Sequence, residues 1–251
     1  MSTRRAEAEA YTAQPASSIL KTGTAKVDEE IKKNKGATYF AMGELDREEY
    51  VRCLMVFWHI YKYVFSPILG ISDHRPLGSY PSLLEEGLAA NANDRVLSPT
   101  HNPALLARTS ALSSDISFLL GVSDGSWKTH PVHQTMISSP PPALHAYISR
   151  LTHLIEDEPR RLLAHSYVRY MGDLSGGQMM KRNIRKAYGL MDEQGTSFYE
   201  FSVMGSEGKS NPSTANMGEI KRIKEWFRTG IDAGVGNDAE MKGRVYQSID
   251  F

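Results

Sequence analysis

Residues 167–178 read YVRYMGDLSGGQ. The last five letters spell the signature of ATP-binding cassette ATPases. That reading needs a phosphate-cradling G-x-x-x-x-G-K-[ST] loop earlier in the chain. The nearest string is GSEGKS at 205–210, which lies downstream and whose glycines, Gly205 and Gly208, stand too close together. A buried strand ending in aspartate should follow, and the chain instead continues MMKRNIRKAYGL, basic and helical in pattern. The stretch is therefore a helix interrupted by Gly172, Gly176 and Gly177. Each glycine costs about 1 kcal/mol relative to alanine. A helix carrying that cost either crosses a neighbour closely or bends so that bare backbone lies against a flat ligand.

Outward from this stretch, apolar residues recur at helical spacing. Leu20, Thr24, Val27 and Ile31 form one stripe, with Gly36 as its expected stop. Asp46 and Glu49 predict a capping box ahead of a second stripe, Tyr50, Leu54, Phe57, Tyr61 and Val64, ended near Pro67. Residues 69–102 read as mostly irregular. Asn102-Pro103 predicts a capped helix through Leu105, Leu112, Ile116 and Leu119 to Gly121. Residues 122–142 read as a loop. Leu144, Ile148, Leu151 and Ile155 mark a further helix, and Pro159 starts the one that carries the glycines. Residues 189–215 read as loop with a short extended FYEFSV. Ile220, Ile223, Phe227 and Ile231 give a late helix; Met241, Val245 and Ile249 give a last one that the chain end cuts short. With no strand–helix alternation and no repeat, the expectation is one all-α domain of about eight helices over 17–251, behind a disordered segment at 1–16.

Composition narrows the function classes. Lys plus Arg and Asp plus Glu both number 29 in 251 residues, which argues against a nucleic-acid binder. The single cysteine, Cys53, permits no intramolecular disulfide and suits a reducing compartment. No apolar run is long enough to span a bilayer, and the N-terminus lacks the apolar core of a secretory signal. A soluble, cytoplasmic monomer is expected.

Around the glycines stand Tyr167, Arg169 and Asp173, with Arg169 and Asp173 spaced i,i+4. Lys224 and Arg228 share one face of the late helix, and Lys21 and Asp28 one face of the first. A pair of cations on one face suits carboxylate binding, although a solvated helix surface is the commoner explanation.

At Tyr167, Arg169 and GDLSGGQ the chain resembles the heme oxygenase family, whose signature is a tyrosine, an arginine two later, and that heptapeptide. The likeness runs through GELDREEYVRCLMVFWHIY at 43–61, LLARTSALSSDISFLLG at 105–121 and LLAHSYVRYMGDLSGGQ at 162–178. It implies an all-α fold holding heme between a proximal helix and a kinked, glycine-rich distal helix. It implies that Gly172 and Gly176 admit the porphyrin, and that Asp173, with Arg169 in the same network, holds distal water and steers bound oxygen to the heme edge. Lys21, Tyr167, Lys224 and Arg228 fall on the positions that anchor the propionates. The implied activity is oxygen-dependent cleavage of heme to biliverdin, iron and carbon monoxide, with electrons from a reductase partner.

One departure matters. The family's proximal ligand is a histidine of the first helix, and the matching stretch, LKTGTAKVDEE at 20–30, has Asp28 there. No histidine precedes His59. A carboxylate is hard and anionic, and favours ferric over ferrous iron. Ala25 replaces a frequent lysine, and Val168 a frequent threonine. His59 and His165 read as structural; His74, His101, His130 and His133 lie in expected loops, and His145 and His153 on a helix remote in sequence. Three readings stay open: a heme oxygenase; a heme-free enzyme using the pocket on another acidic or apolar small molecule, as in a natural-product cyclisation, with Asp28 or Asp173 as acid or base; and a non-catalytic heme or tetrapyrrole binder.

Overall fold

The computed structural model describes residues 13–61, 84–191, 194–206 and 213–249. Helix α1 spans Ala16–Lys33 and buries Ile19, Leu20 and Thr24. Val27 and Ile31, the rest of the expected stripe, are exposed. Gly36 is not its stop. Asn34 leaves the helical backbone, and its side chain accepts the Ala37 N–H at 3.1 Å, capping a new helix α2 at Lys35–Met42. Gly43, at φ 75°, closes α2.

Helix α3, Arg47–Tyr61, begins with the expected box: Asp46 Oδ1 accepts the Glu49 N–H at 2.8 Å, and Glu49 Oε2 accepts the Asp46 N–H at 3.2 Å. Tyr50, Leu54 and Tyr61 are fully buried. Val64, Pro67 and residues 1–12 lie outside the described residues. In the stretch expected to be irregular, Leu84–Ala90 forms α4.

The single helix expected from Pro103 to Gly121 is split. Asn102 caps only one turn, Pro103–Leu106, and Ala107 is extended. Helix α5, Thr109–Leu120, then starts afresh and ends at Gly121. Arg108 stabilises the break by donating to the Leu105 and Leu106 carbonyls that the lost turn frees, each at 3.1 Å. The expected loop at 122–142 contains α6, Pro131–Ser138, whose N-cap His130 accepts the Val132 N–H.

Helix α7 spans Pro142–Asp157 and α8 Leu162–Tyr188. FYEFSV is a 3-10 turn, Ser197–Tyr199, followed by a lone antiparallel bridge between Ser202 and Thr214. Helices α9, Met217–Val235, and α10, Ala239–Gln247, are capped by Asn216 and Asp238. The described residues thus hold ten helices and the extra turn rather than eight, and the all-α class stands. Helix α9 meets the chain at 96–100 backbone to helix: a Cβ on Gly230 would lie 2.6 Å from the Pro99 carbonyl oxygen. Helix α3 packs on α5, and α8 threads between α1, α2, α7 and α9. Among the described residues no helix is long and apolar enough to cross a membrane.

Candidate functional site

Helix α8 carries the motif. It remains one hydrogen-bonded helix from Leu162 to Tyr188, carried through all three glycines. Their surroundings separate their roles. A Cβ on Gly177 would meet Tyr199 Cδ1 at 3.1 Å, so this glycine admits a packed ring. A Cβ on Gly172 would meet nothing within 4 Å, and one on Gly176 only Met180 Sδ at 3.8 Å. Val168, Gly172 and Gly176 recur every four residues and so share one face, which is bare beyond Val168.

Beside that face lies a buried polar cluster. Asp173 is 8% exposed. The Tyr61 hydroxyl donates to Asp173 Oδ2 in a short hydrogen bond, and Arg169 Nη2 stands 3.5 Å from Oδ1. The Arg169 guanidinium lies over the Phe57 and Tyr61 rings, 4.7 and 5.3 Å from their centroids. Its buried Nε has no hydrogen-bond partner among the described residues. Burial raises the Asp173 carboxyl above the ordinary range, opposed by Arg169 and the Tyr61 hydrogen bond. Burial and then the Asp173 charge push the Tyr61 phenol well up, so Tyr61 keeps its proton and donates it.

A cavity of about 1150 Å³ opens between α1, α3, α7 and α8, slightly above the usual size of small-molecule sites. Asp28, Val56, Tyr147, His153, Val168 and Arg169 are among its lining residues. Asp28 is exposed. Tyr167 is buried next to it: burial raises the phenol, a hydrogen bond and the charge of Arg228 lower it, and the Asp28 charge raises it. Lys224 Nζ reaches Ser175 Oγ at 3.4 Å, and burial followed by Arg228 lowers its pKa. The fold therefore brings Tyr167, Lys224 and Arg228 together within reach of the Asp28 charge, and of these four Asp28 alone lines the cavity. Lys21 is exposed, and its side chain makes no hydrogen bond or ion pair among the described residues. Ala25 is likewise exposed.

Sequence reasoning missed three participants. Tyr61 passed as one residue of an apolar stripe, although a buried tyrosine hydroxyl needs a partner. Tyr147 lines the cavity and its hydroxyl meets His165 Nδ1 at 3.0 Å. His153, remote from α1 in sequence, shares the cavity with Asp28. The structural reading of His59 and His165 fits their surroundings. His59 Nε2 pairs with His133 Nε2 at 3.0 Å, and burial pulls the His59 imidazole down to about 4. His74 lies outside the described residues. No group of three or more His, Cys, Asp or Glu suited to a metal ion occurs among the described residues.

Comparison with known proteins decides the family. The heme oxygenase family profile matches residues 14–216. The chain belongs to the heme oxygenase family. It is 30% identical over 197 residues to heme oxygenase 1 of Pongo abelii, covering 78% of this chain and 58% of the relative. It is also 30% identical over 188 residues to heme oxygenase 1 of Nostoc, covering 75% and 66%. The chain thus spans less than two thirds of these relatives' length. Among solved structures it resembles heme oxygenase from Leptospira interrogans, with TM-score 0.68, 28% identity, and 94% and 95% of the two chains covered. The fold also matches heme oxygenase-2 from Synechocystis in complex with heme and NO, at TM-score 0.65, 24% identity, and 94% and 84% coverage.

A flat, dicarboxylate ligand such as heme suits the bare Val168–Gly172–Gly176 face and the cationic end at Lys224 and Arg228. Helix α1 offers Thr24, Val27, Asp28 and Ile31 to the cavity, so it presents a carboxylate and no imidazole there.

Proposed function

We propose that this chain binds heme between α1 and α8 and cleaves it oxidatively to biliverdin, iron and carbon monoxide, using oxygen and electrons from a reductase. The observation that carries this reading is the buried Tyr61–Asp173–Arg169 cluster set against the open glycine face. Heme would supply the iron that activates oxygen. Arg228, Lys224 and Tyr167 bind the propionates. Gly172 and Gly176 let the macrocycle approach the α8 backbone. Asp173, fixed by Tyr61 and Arg169, would hold a water beside the bound ligand and supply a proton through it. Tyr61 and Arg169 orient the carboxylate and act through it. The protein works as a cytoplasmic monomer that meets its reductase in solution.

A second reading rests on Asp28. A carboxylate in place of a neutral imidazole on α1 also suits a heme-free enzyme acting on another acidic or apolar molecule in the same cavity. Titration with hemin, followed by a reductase system under air, tests the choice. Appearance of biliverdin absorbance is the expected result. Absence of any hemin spectral change would sink the heme reading and leave the second.

A further inference from the structure

The cavity and the glycine face meet at Val168 and are otherwise separate. Tyr167, Gly172, Gly176, Lys224 and Arg228, the groups assigned to holding heme, do not line the cavity. Helix α7 lines it from Ala143 to Asp157, whereas α8 gives it Val168 and Arg169. Its wall is mainly aliphatic, with Val56 and Ile60 from α3, Leu144 and Leu154 from α7, and Ile249 from just beyond α10. A volume of about 1150 Å³ beside the glycine face thus has no assigned occupant.

The charged groups that line it are unequally placed. Asp28, His153 and Asp157 are exposed, whereas Arg150 and Arg161 are half-buried. These two arginines converge on one residue: Arg161 Nε donates to Ser248 Oγ at 2.7 Å, and Arg150 Nη2 to the Ser248 carbonyl at 3.4 Å. Both also stand close to the buried His165, whose imidazole is pulled down to about 3 by burial and then by their charges. The nearby Glu158 carboxylate is divided, with Oε1 on Arg161 at 3.0 Å and Oε2 on Arg244 at 3.4 Å. Arg161 Nη2 makes no hydrogen bond among the described residues. A guanidinium fork matches a carboxylate in geometry, and an anion between two guanidinium groups relieves their repulsion.

One cationic pair and one aliphatic wall call for one carboxylate and one hydrocarbon body. We propose that this cavity is a second binding site, for a long-chain monocarboxylate whose carboxylate rests on Arg150 and Arg161 and whose chain lies along the wall. The site stands apart from the heme reading and does not depend on it.

The test is a fluorescence titration of the full chain with cis-parinarate, a long-chain carboxylate that emits when its chain leaves water, and with its methyl ester. Both are repeated after loading with hemin. The variants are Arg150→Gln and Ala146→Phe, the second placing a ring at an exposed position that lines the cavity; circular dichroism checks that each is folded. Saturable binding of the acid is expected. The ester, and the acid on Arg150→Gln, should each bind about tenfold more weakly, the value of a charge-assisted hydrogen bond. Ala146→Phe should weaken the acid at least about tenfold by filling the space, and hemin loading should leave its affinity within about threefold. No binding of the acid overturns the inference, as do equal affinities for acid and ester, unchanged affinity in either folded variant, or displacement of the acid by one equivalent of hemin. A chain that binds the acid and no hemin sinks the heme reading and leaves this one standing.

Discussion

Gly172→Ala separates a glycine kept for a ligand from one kept for packing. In the free protein the added Cβ meets no atom within 4 Å, at an exposed position of a continuous helix. The helical preference of alanine should then stabilise the protein by about 0.5–1 kcal/mol. For a chain of this length that raises the melting temperature by about 2–4 °C per kcal/mol. A porphyrin against the same backbone would have to move out by about the thickness of a methyl group, losing dispersion contact over its face. Hemin affinity should fall by about tenfold, which is about 1.4 kcal/mol. Gly177→Ala is the opposite case. Its Cβ lands 3.1 Å from the Tyr199 ring, so stability should drop by about 1–3 kcal/mol. Urea unfolding followed by circular dichroism gives the first quantity, and hemin titration the second. A less stable Gly172→Ala protein, or one with unchanged hemin affinity, would refute the reasoning.

Two further outcomes follow from buried groups. Tyr61→Phe removes the donor to Asp173 and should cost about 1–3 kcal/mol of stability. Hemin binding should persist within about threefold while biliverdin formation falls at least about tenfold; equal losses of both would mean that Tyr61 only supports the fold. His59 carries a pH prediction. Its folded pKa, pulled down to about 4 by burial and then by His133, lies below its unfolded value, so the native state takes up this proton later than the unfolded chain does. The stability it contributes is whole above about pH 6.5 and is lost as pH falls toward 4, by about 3 kcal/mol at most. His59→Gln should therefore lose stability less steeply than the wild type across that window; parallel unfolding curves would count against it.

Much of the fold can be read from local signals. The Asp46–Glu49 box, the Asn102, Asn216 and Asp238 caps and the glycine stops act within a few residues, where backbone chemistry alone decides. Helix α6 also had its signal, since Pro131 sits at a first helical turn. The failures lie where distant groups intervene. Arg108 donates to the Phe198 and Glu200 carbonyls as well as to Leu105 and Leu106, and no local propensity foretells a helix split by such a clamp. The site divides in the same way. Arg169 and Asp173 are one helical turn apart and were legible as a pair, whereas Tyr61 stands 112 residues from Asp173 and joins it only because α3 packs near α8.

By itself, the order of residues determined the all-α class, the capping box at Asp46 and the glycine-bearing motif, because periodicity and capping are properties of short windows. It also put an aspartate at position 28 and no histidine upstream of His59. Only the tertiary structure decided which polar groups lose water. It buries Asp173 beneath Tyr61 and Arg169, and places Asp28 at a cavity shared with His153. Desolvation and charge pairing depend on every element that closes over a group, and no single window of sequence contains them.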